Sequence, residues 1–398
     1  MTKTFSHYTT LATIILLDLL AGVEFDLFVP SFPELQSHFN ISSFWVEMLL
    51  SANFLGYCLS LFAVGSLSDR YGRKLIILAG LFIFIIGSLL CLQERTFLFL
   101  LIGRFLQGIG IASPAILSFL IIADNYPLEK QKSLFALLNG VMNASVAVAP
   151  VVGSYIALYF HWQGNFLTLL SLGIIACVFS IFFIPPHAPS HTQEDESNQQ
   201  YIHLFQSKPL MLMIIHFIVQ LVPYWIFVGM APLLYMESLG VSLSHFGYYQ
   251  GSLAFVFSLG SLVFSFIVKR YHSRKMLSLT NFIFTTSLIC TTFSTVFNLS
   301  NALWITLLFM PFVIGQIIPG ATLYPLCLNF KPHAKARVAA LIQAGRLVFC
   351  SLGLQLAGYI YQGSFDSIGI VIIPFILASI ITLHLVLKQG ELKSLLEK

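Results

Sequence analysis

Apolar runs of about 20 residues, each long enough for a helix to cross the hydrocarbon of a bilayer, recur along nearly the whole of this chain. Twelve are readable, at 8–30, 44–66, 75–92, 97–123, 133–158, 166–185, 209–235, 245–268, 275–296, 301–329, 336–360 and 366–387. In lipid, backbone polar groups must be satisfied within a helix or around a closed barrel. The runs are about twice the length of a barrel strand and lack its apolar/polar alternation, so helices are expected. Composition points the same way: of 398 residues 57% are hydrophobic and 9% charged, against about 25% charged in an ordinary soluble domain. Such a chain has too little polar surface to cover itself in water.

The charges that do occur give a topology, because cytoplasmic loops are enriched in Lys and Arg. All but three of the 20 basic residues fall on one side: Lys3, Arg70/Arg73/Lys74, Lys130/Lys132, Lys208, Lys269/Arg270/Arg274/Lys275, Lys331/Lys335/Arg337 and Lys388/Lys393/Lys398. Arg95 lies opposite, and Arg104 and Arg346 fall inside spans. Both termini are therefore expected in the cytoplasm. The first span is too long for a signal-peptide core and no small-residue cleavage site follows it, so it is expected to be retained. The net charge of +4 is spread over loops instead of one basic face, which argues against a nucleic-acid partner.

Cys58, Cys91, Cys177, Cys290, Cys327 and Cys350 all sit in spans, far apart and without a CxxC, which reads as packing instead of a disulfide or zinc framework. His187 and His191 have ligand-like spacing but lie in a Pro-rich stretch, so no metal is expected. That stretch, with Pro185-Pro186, Pro189 and the acidic Glu194-Asp195-Glu196, separates the sixth and seventh spans and reads as a flexible linker. The expected organisation is an amino-terminal six-helix half (1–185), a cytoplasmic linker (186–208), and a carboxy-terminal six-helix half with a short tail (209–398). A weak repeat agrees. Asp69-Arg70-Tyr71-Gly72 after the second span is echoed by Lys269-Arg270-Tyr271-His272 after the eighth, and Pro127 with Lys132 by Pro332 with Arg337. Two halves related by parallel internal symmetry are a transporter architecture.

Gly65-Ser66-Leu67-Ser68-Asp69-Arg70-Tyr71-Gly72-Arg73-Lys74 resembles, almost position for position, the loop signature of the major facilitator superfamily. Gly65 would permit close helix approach, Asp69 can face a helix amino terminus, and the basic residues hold the loop at the cytoplasmic face. The resemblance implies a conformational latch, formed by Gly65, Asp69, Arg70, Gly72 and Arg73, that ties the halves together. The alternative is that the basic residues only fix topology.

Gly103-Arg104-Phe105-Leu106-Gln107-Gly108-Ile109-Gly110 resembles the superfamily's intramembrane arginine motif, which is associated with proton transfer. A charge at that depth costs about 2.5–3.5 kcal/mol on insertion scales and persists when it faces the interior and is paired. A static salt bridge to an acid of the first helix is the competing reading. Gly140 and Ala149-Pro150-Val151-Val152-Gly153 are similar to the antiporter signature of drug/proton exchangers, in which a Gly/Pro face (here Pro150 and Gly153) bends the helix against its symmetry partner. Ala149 and Ser154 replace glycines of that pattern. The first span, with Asp18, Glu24, Asp26, Pro30 and Pro33, resembles that of the twelve-span drug/proton antiporters of the bicyclomycin- and chloramphenicol-resistance type. The resemblance implies an all-α polytopic fold of twelve transmembrane helices in two pseudo-symmetric six-helix bundles.

Asp18 lies about 10 residues into its helix, roughly 15 Å deep, where burial disfavours the charged carboxylate, as a reversible proton carrier requires. In a continuous helix Asp26 would lie about 80° from Asp18 and Glu24 would point elsewhere. Asp18, Glu24, Asp26 and Arg104 are thus the candidate proton-coupling residues, Asp18 first among them. The bland alternative puts Glu24 and Asp26 at a solvated periplasmic mouth. Arg346 departs from the family pattern. About ten residues into its span, it should line a cavity or pair with a carboxylate, or snorkel to water, and as a cavity residue it favours an anionic or zwitterionic cargo. Tyr57, Asn53, Asn143, Tyr224 and Gln343 join it as candidate substrate contacts, although interhelical hydrogen bonding accounts equally for most in-span polar residues.

The expected function is proton-coupled efflux of small amphipathic organic molecules from the bacterial inner membrane, by alternating access of the two halves and as a monomer. The cargo would be a small molecule, the other partners protons and the lipid bilayer, and no cofactor beyond the proton gradient is needed. The alternatives are export of an endogenous anionic metabolite such as a carboxylate siderophore, or proton-coupled uptake. No GxxxxGK[ST], GxSxG or HExxH occurs, so neither a nucleotide motor nor an enzyme is expected.

Overall fold

The computed structural model describes residues 7–126, 128–186, 206–267, 272–330, 335–390 and 392. All of its regular structure is helical among the described residues. The helices are α1 (His7–Val23), α2 (Phe32–Phe39), α3 (Ser43–Tyr71), α4 (Arg73–Cys91), α5 (Phe97–Asn125), α6 (Leu128–Phe183), α7 (Lys208–Val219), α8 (Val222–Pro232), α9 (Leu243–Ile267), α10 (Ser273–Val296), α11 (Ala302–Gly315), α12 (Ile317–Asn329), α13 (Lys335–Ile360) and α14 (Phe365–Lys388). A 3-10 turn (Val29–Ser31) precedes α2, and a π-helical turn (Leu233–Ser238) extends α8.

Among the described residues, nine helical stretches are long and apolar enough to cross a membrane. One of them, Gly140–Phe183, has 44 residues and bends into two crossings; with α9 and the shorter Tyr8–Val23 the set reaches the expected twelve. Large apolar side chains point outward along these helices, among them Phe82 at 62% exposure and Phe282 at 70%. A surface of that kind suits hydrocarbon and not water.

Five spans differ from the sequence expectation. The helix expected over 8–30 stops at Val23 and gives way to an irregular stretch before the 3-10 turn, where Pro30 and Pro33 lack the N–H a continuous helix needs. The spans expected at 133–158 and 166–185 are joined without a loop, because α6 turns at a single residue, His161, with φ 57° and ψ −173°. That backbone is unusual for a side-chain-bearing residue, and Glu34 holds it: one carboxylate oxygen accepts from the Trp162 N–H at 2.9 Å while the other lies 2.9 Å from His161 Nδ1. The seventh span is interrupted at Gln220–Leu221 before Pro223, and the tenth at Gln316.

The chain divides into two compact units. The first is Met1–Gln193 together with Ser242–Gly251; the second is Glu194–Val241 together with Ser252–Lys398. Residues 187–205, which hold most of the expected linker along with His187 and His191, lie outside the described residues, as do Pro127, Lys269 to Tyr271 and Pro332 of the repeat echoes.

In the first unit α3 and α5 meet backbone to backbone. A Cβ on Gly56 would stand 2.2 Å from the Phe105 carbonyl oxygen, and one on Gly108 2.0 Å from that of Asn53. Only glycine fits at either point, and the closeness sets the depth at which Asn53 and Arg104 face one another.

Candidate functional site

Glu24 follows the last residue of α1, its N–H still bonded to the Leu20 carbonyl at 3.2 Å, and its side chain reaches α3 and α5. The Arg104 Nη1 donates to Glu24 Oε1 at 2.5 Å and to Gln107 Oε1 at 2.8 Å. The Asn53 side-chain amide donates to the same Glu24 oxygen at 2.8 Å and to the Arg104 carbonyl at 3.1 Å. Gln107 in turn donates to Ser88 Oγ at 2.8 Å, and the guanidinium sits 4.0 Å above the Phe28 ring. Glu24, Arg104, Asn53 and Gln107 are all fully buried. The cluster is not saturated: Arg104 Nε and Nη2 and Glu24 Oε2 have no hydrogen-bond partner among the described residues. It therefore holds spare donors and a spare acceptor with which its pairing can rearrange.

This geometry corrects two premises. Asp26 lies beyond α1, in the turn after Val23, and not on a continuous helix with Asp18. Nor do Glu24 and Asp26 line a solvated mouth, being 0% and 2% exposed. The ion pair between Arg104 and an acid of the first crossing is present, and the acid is Glu24.

Asp26 accepts a long 3.4 Å hydrogen bond from the Gln250 side chain, which the Ser242–Gly251 segment brings into the same unit. Asp18, one and a half turns before the break, is 2% exposed, and its Oδ2 lacks a partner among the described residues. Tyr57 lies within electrostatic reach of both Asp18 and Glu24 and packs its ring 5.9 Å from that of Phe25. The structure thus gathers Asp18, Glu24, Asp26, Arg104, Asn53 and Tyr57 in one unit. The side chain of Asn143 lies outside the described residues. An apolar cavity of about 410 Å³ opens beside α1 and both arms of α6, lined by Leu19, Val23, Val141, Val148 and the small polar Ser145 and Thr168.

The Gly/Pro face of α6 is tightly used. A Cβ on Gly153 would fall 1.9 Å from the Leu27 carbonyl oxygen, in the irregular stretch that carries the acids. Gly247 of α9 approaches Val151 and Pro150 so closely that a Cβ would lie 2.6 Å from the Val151 Cα. Within its unit this face therefore seats the broken first crossing and the start of α9; the resemblance pointed to its symmetry partner.

In the cytoplasmic loop signature, Gly72 takes φ +90° between α3 and α4, a conformation that favours glycine. A Cβ on Gly65 would meet nothing within 4 Å among the described residues, whereas α3 makes a close contact at Gly56. Arg73 bonds the Ser68 hydroxyl and pairs with Asp124 at the end of α5 at 3.2 Å, and Arg70 lies 5.3 Å over the Tyr71 ring. These contacts are internal to the first unit. The side chain of Asp69, on which the implied tie between halves depends, lies outside the described residues.

In the second unit the two interrupted crossings are joined, Gln316 donating to the Gln220 carbonyl at 3.0 Å. Arg346 on α13 pairs with no carboxylate among the described residues. Its Nε donates to the Phe217 carbonyl at 2.9 Å, and its guanidinium carbon lies 5.5 Å from the Phe217 ring and 6.0 Å from that of Tyr324. Gln343, one turn earlier, and Tyr224, whose ring meets Trp225 at 6.0 Å, are both half-buried.

Sequence reasoning passed over Gln107 and Glu47. Gln107 was legible as the residue one turn beyond Arg104, on the same helix face. Glu47 sits in the first turns of α3, 0% exposed, with neither oxygen hydrogen-bonded among the described residues; an acid inside a predicted span was signal enough.

Comparison with known proteins agrees with this architecture. The solved structures of a D-xylose-proton symporter, of a point mutant of the nucleoside transporter NupG and of a bacterial homologue of the human lysosomal transporter Spinster superpose with TM-scores of 0.71, 0.73 and 0.72. They cover 94%, 96% and 100% of this chain and 97%, 99% and 98% of theirs, at 13%, 14% and 16% identity, a likeness that carries the fold alone. Proteins named Multidrug resistance protein MdtL are similar in sequence. That of Citrobacter koseri is 29% identical over 220 residues, 55% of this chain and 56% of its own, and that of Klebsiella pneumoniae 26% over 261 residues, 63% and 64%. The chain thus spans under two thirds of the length of these relatives. Residues 14–354 match the model of the Major Facilitator Superfamily, and with the twelve-crossing helical fold this establishes that the chain belongs to that superfamily of multi-pass membrane transporters.

Proposed function

We propose that the protein is a proton-coupled exporter of small amphipathic organic molecules, working by alternating access of its two sequence halves in a bacterial inner membrane with both termini cytoplasmic. The observation that carries this reading is the buried cluster of the first unit, where one guanidinium, that of Arg104, serves Glu24 while Asp18 and Asp26 lie buried in the same unit. A static pair would need one acid. Three buried acids and one buried cation in the same unit form a set whose net charge changes by one with each proton taken up, and the unspent donors of Arg104 allow its pairing to follow the charge. Asp18, whose carboxylate has no cationic partner among the described residues, is the proton carrier in this scheme. Glu24 anchors Arg104, and Asp26 senses the same charge through the stretch after Val23. The MdtL relatives support efflux as the direction.

The driving force is sufficient, since one proton crossing about 150 mV supplies roughly 3.5 kcal/mol, about a 300-fold gradient of a neutral molecule. The test is proton movement in everted membrane vesicles, followed with a fluorescent pH probe during addition of amphipathic compounds. Compound-triggered alkalinisation of the lumen in wild type and its loss in Asp18→Asn are expected. An undiminished response in Asp18→Asn would remove Asp18 from the coupling, and no response in wild type to any compound would overturn the export reading.

A further inference from the structure

We propose that Arg346 is an anion-recognition residue and that the preferred cargo is an organic monoanion carried on an aromatic or apolar body. The inference rests on the export reading above and names its substrate class.

Arg346 lies 11 residues into the 26-residue α13, about 16 Å along the helix axis. A cation at that depth persists by pairing with an acid or with backbone carbonyls. Arg104 has the acid; Arg346 has only a carbonyl. No carboxylate of the described residues pairs with it, and the titratable groups within its electrostatic reach are Tyr324, Cys327, Cys350 and His216, none of them an acid of the Asp/Glu kind. What holds it is neutral: the Phe217 carbonyl on Nε at 2.9 Å, and the rings of Phe217 and Tyr324 beside the guanidinium.

These contacts use one edge of the guanidinium and leave the other. The two terminal nitrogens have no hydrogen-bond partner among the described residues. Arg346 also differs from the sealed Arg104 in keeping partial exposure. Tyr324 beside it is likewise half-buried, with its hydroxyl unbonded among the described residues. A planar guanidinium with two free forward N–H groups matches a carboxylate or sulfonate, and the flanking rings offer an apolar or aromatic body a stacking surface. A guanidinium serving only to staple α13 to α7 would need the Nε contact alone.

The experiment uses three probes with one ring system and different charge: 2-naphthoate, 2-naphthamide and 2-naphthylmethylammonium. Binding to the purified full-length protein in lipid nanodiscs is measured by calorimetry. We expect wild type to bind the naphthoate about tenfold or more tighter than the amide, the gain of a charge-assisted hydrogen bond pair. Arg346→Gln should bring the two within about twofold without weakening the amide, and Arg346→Lys should retain part of the preference. A wild type that binds the amide or the ammonium as tightly as the naphthoate would overturn the proposal, as would a preference that survives Arg346→Gln. Should Arg346→Gln fail to fold, the wild-type ranking and Arg346→Lys still decide. If amphipathic cations alone drive proton movement in the vesicle assay and the naphthoate neither binds nor moves, the substrate class is wrong and export stands; silence towards every compound would overturn export itself.

Discussion

The first and fourth crossings of each unit meet at a break in a helix, and the two meetings differ in chemistry. In the first unit the contact is charged, Arg104 on Glu24, with Asn53 and Gln107 closing the cluster. In the second it is neutral, Gln316 on the Gln220 carbonyl. A repeated architecture has thus kept the contact and changed what it can titrate. The amide pair has one charge state at any physiological pH, whereas the acids of the first unit have several. Under the proposed function the first unit handles protons, and the second, where Arg346 within a crossing has no carboxylate partner among the described residues, reads the cargo.

The comparison is broken most forcefully by removing one charge. Arg104→Ala leaves Glu24 buried without its cation, and losing one partner of a buried pair costs about 3–5 kcal/mol. Thermal unfolding in detergent should show that loss, and the double variant Glu24→Gln with Arg104→Gln should recover a large part of it; a single-variant loss under about 1 kcal/mol would mean the pair is not sealed from solvent. Gly108→Ala is expected to cost about 1–3 kcal/mol by overpacking, since its Cβ would meet the Asn53 carbonyl; an unchanged melting temperature would show that α3 and α5 are not in close contact. Gln316→Leu removes one neutral hydrogen bond, worth about 0.5–1.5 kcal/mol, and a loss as large as that of Arg104→Ala would erase the contrast between the units. The smallest effect belongs to Asp124→Asn, which weakens the partly exposed pair with Arg73 by about 0–1 kcal/mol, measured in the same assay.

The number of crossings, their helical nature and the depth of Arg104 were legible because apolar length and the rarity of charges in lipid act through local sequence. The interruptions were less so. Prolines at 30, 33 and 223 announced that a helix would be disturbed, but a Pro-containing membrane helix also survives as a kink, so continuity through Asp26 was an available and wrong choice. The helix resuming at Trp162 depends on Glu34, over a hundred residues away in sequence, and no local pattern carries that. At Gly65 a Cβ would meet nothing within 4 Å among the described residues, whereas Gly56, outside the motif, makes a close approach to α5. That Glu24 and not Asp18 pairs with Arg104 follows from how α1 packs against α5, which is a tertiary fact.

The most direct measurement is cargo-driven proton movement in everted vesicles for two variants side by side, the doubly neutral Glu24→Gln with Arg104→Gln and the second-unit Gln316→Leu, at matched amounts of folded protein. Abolished proton movement in the first with retained movement in the second is the expected result. Proton movement that survives in the first, or is lost equally in both, would contradict the assignment of proton coupling to the charged cluster of the first unit.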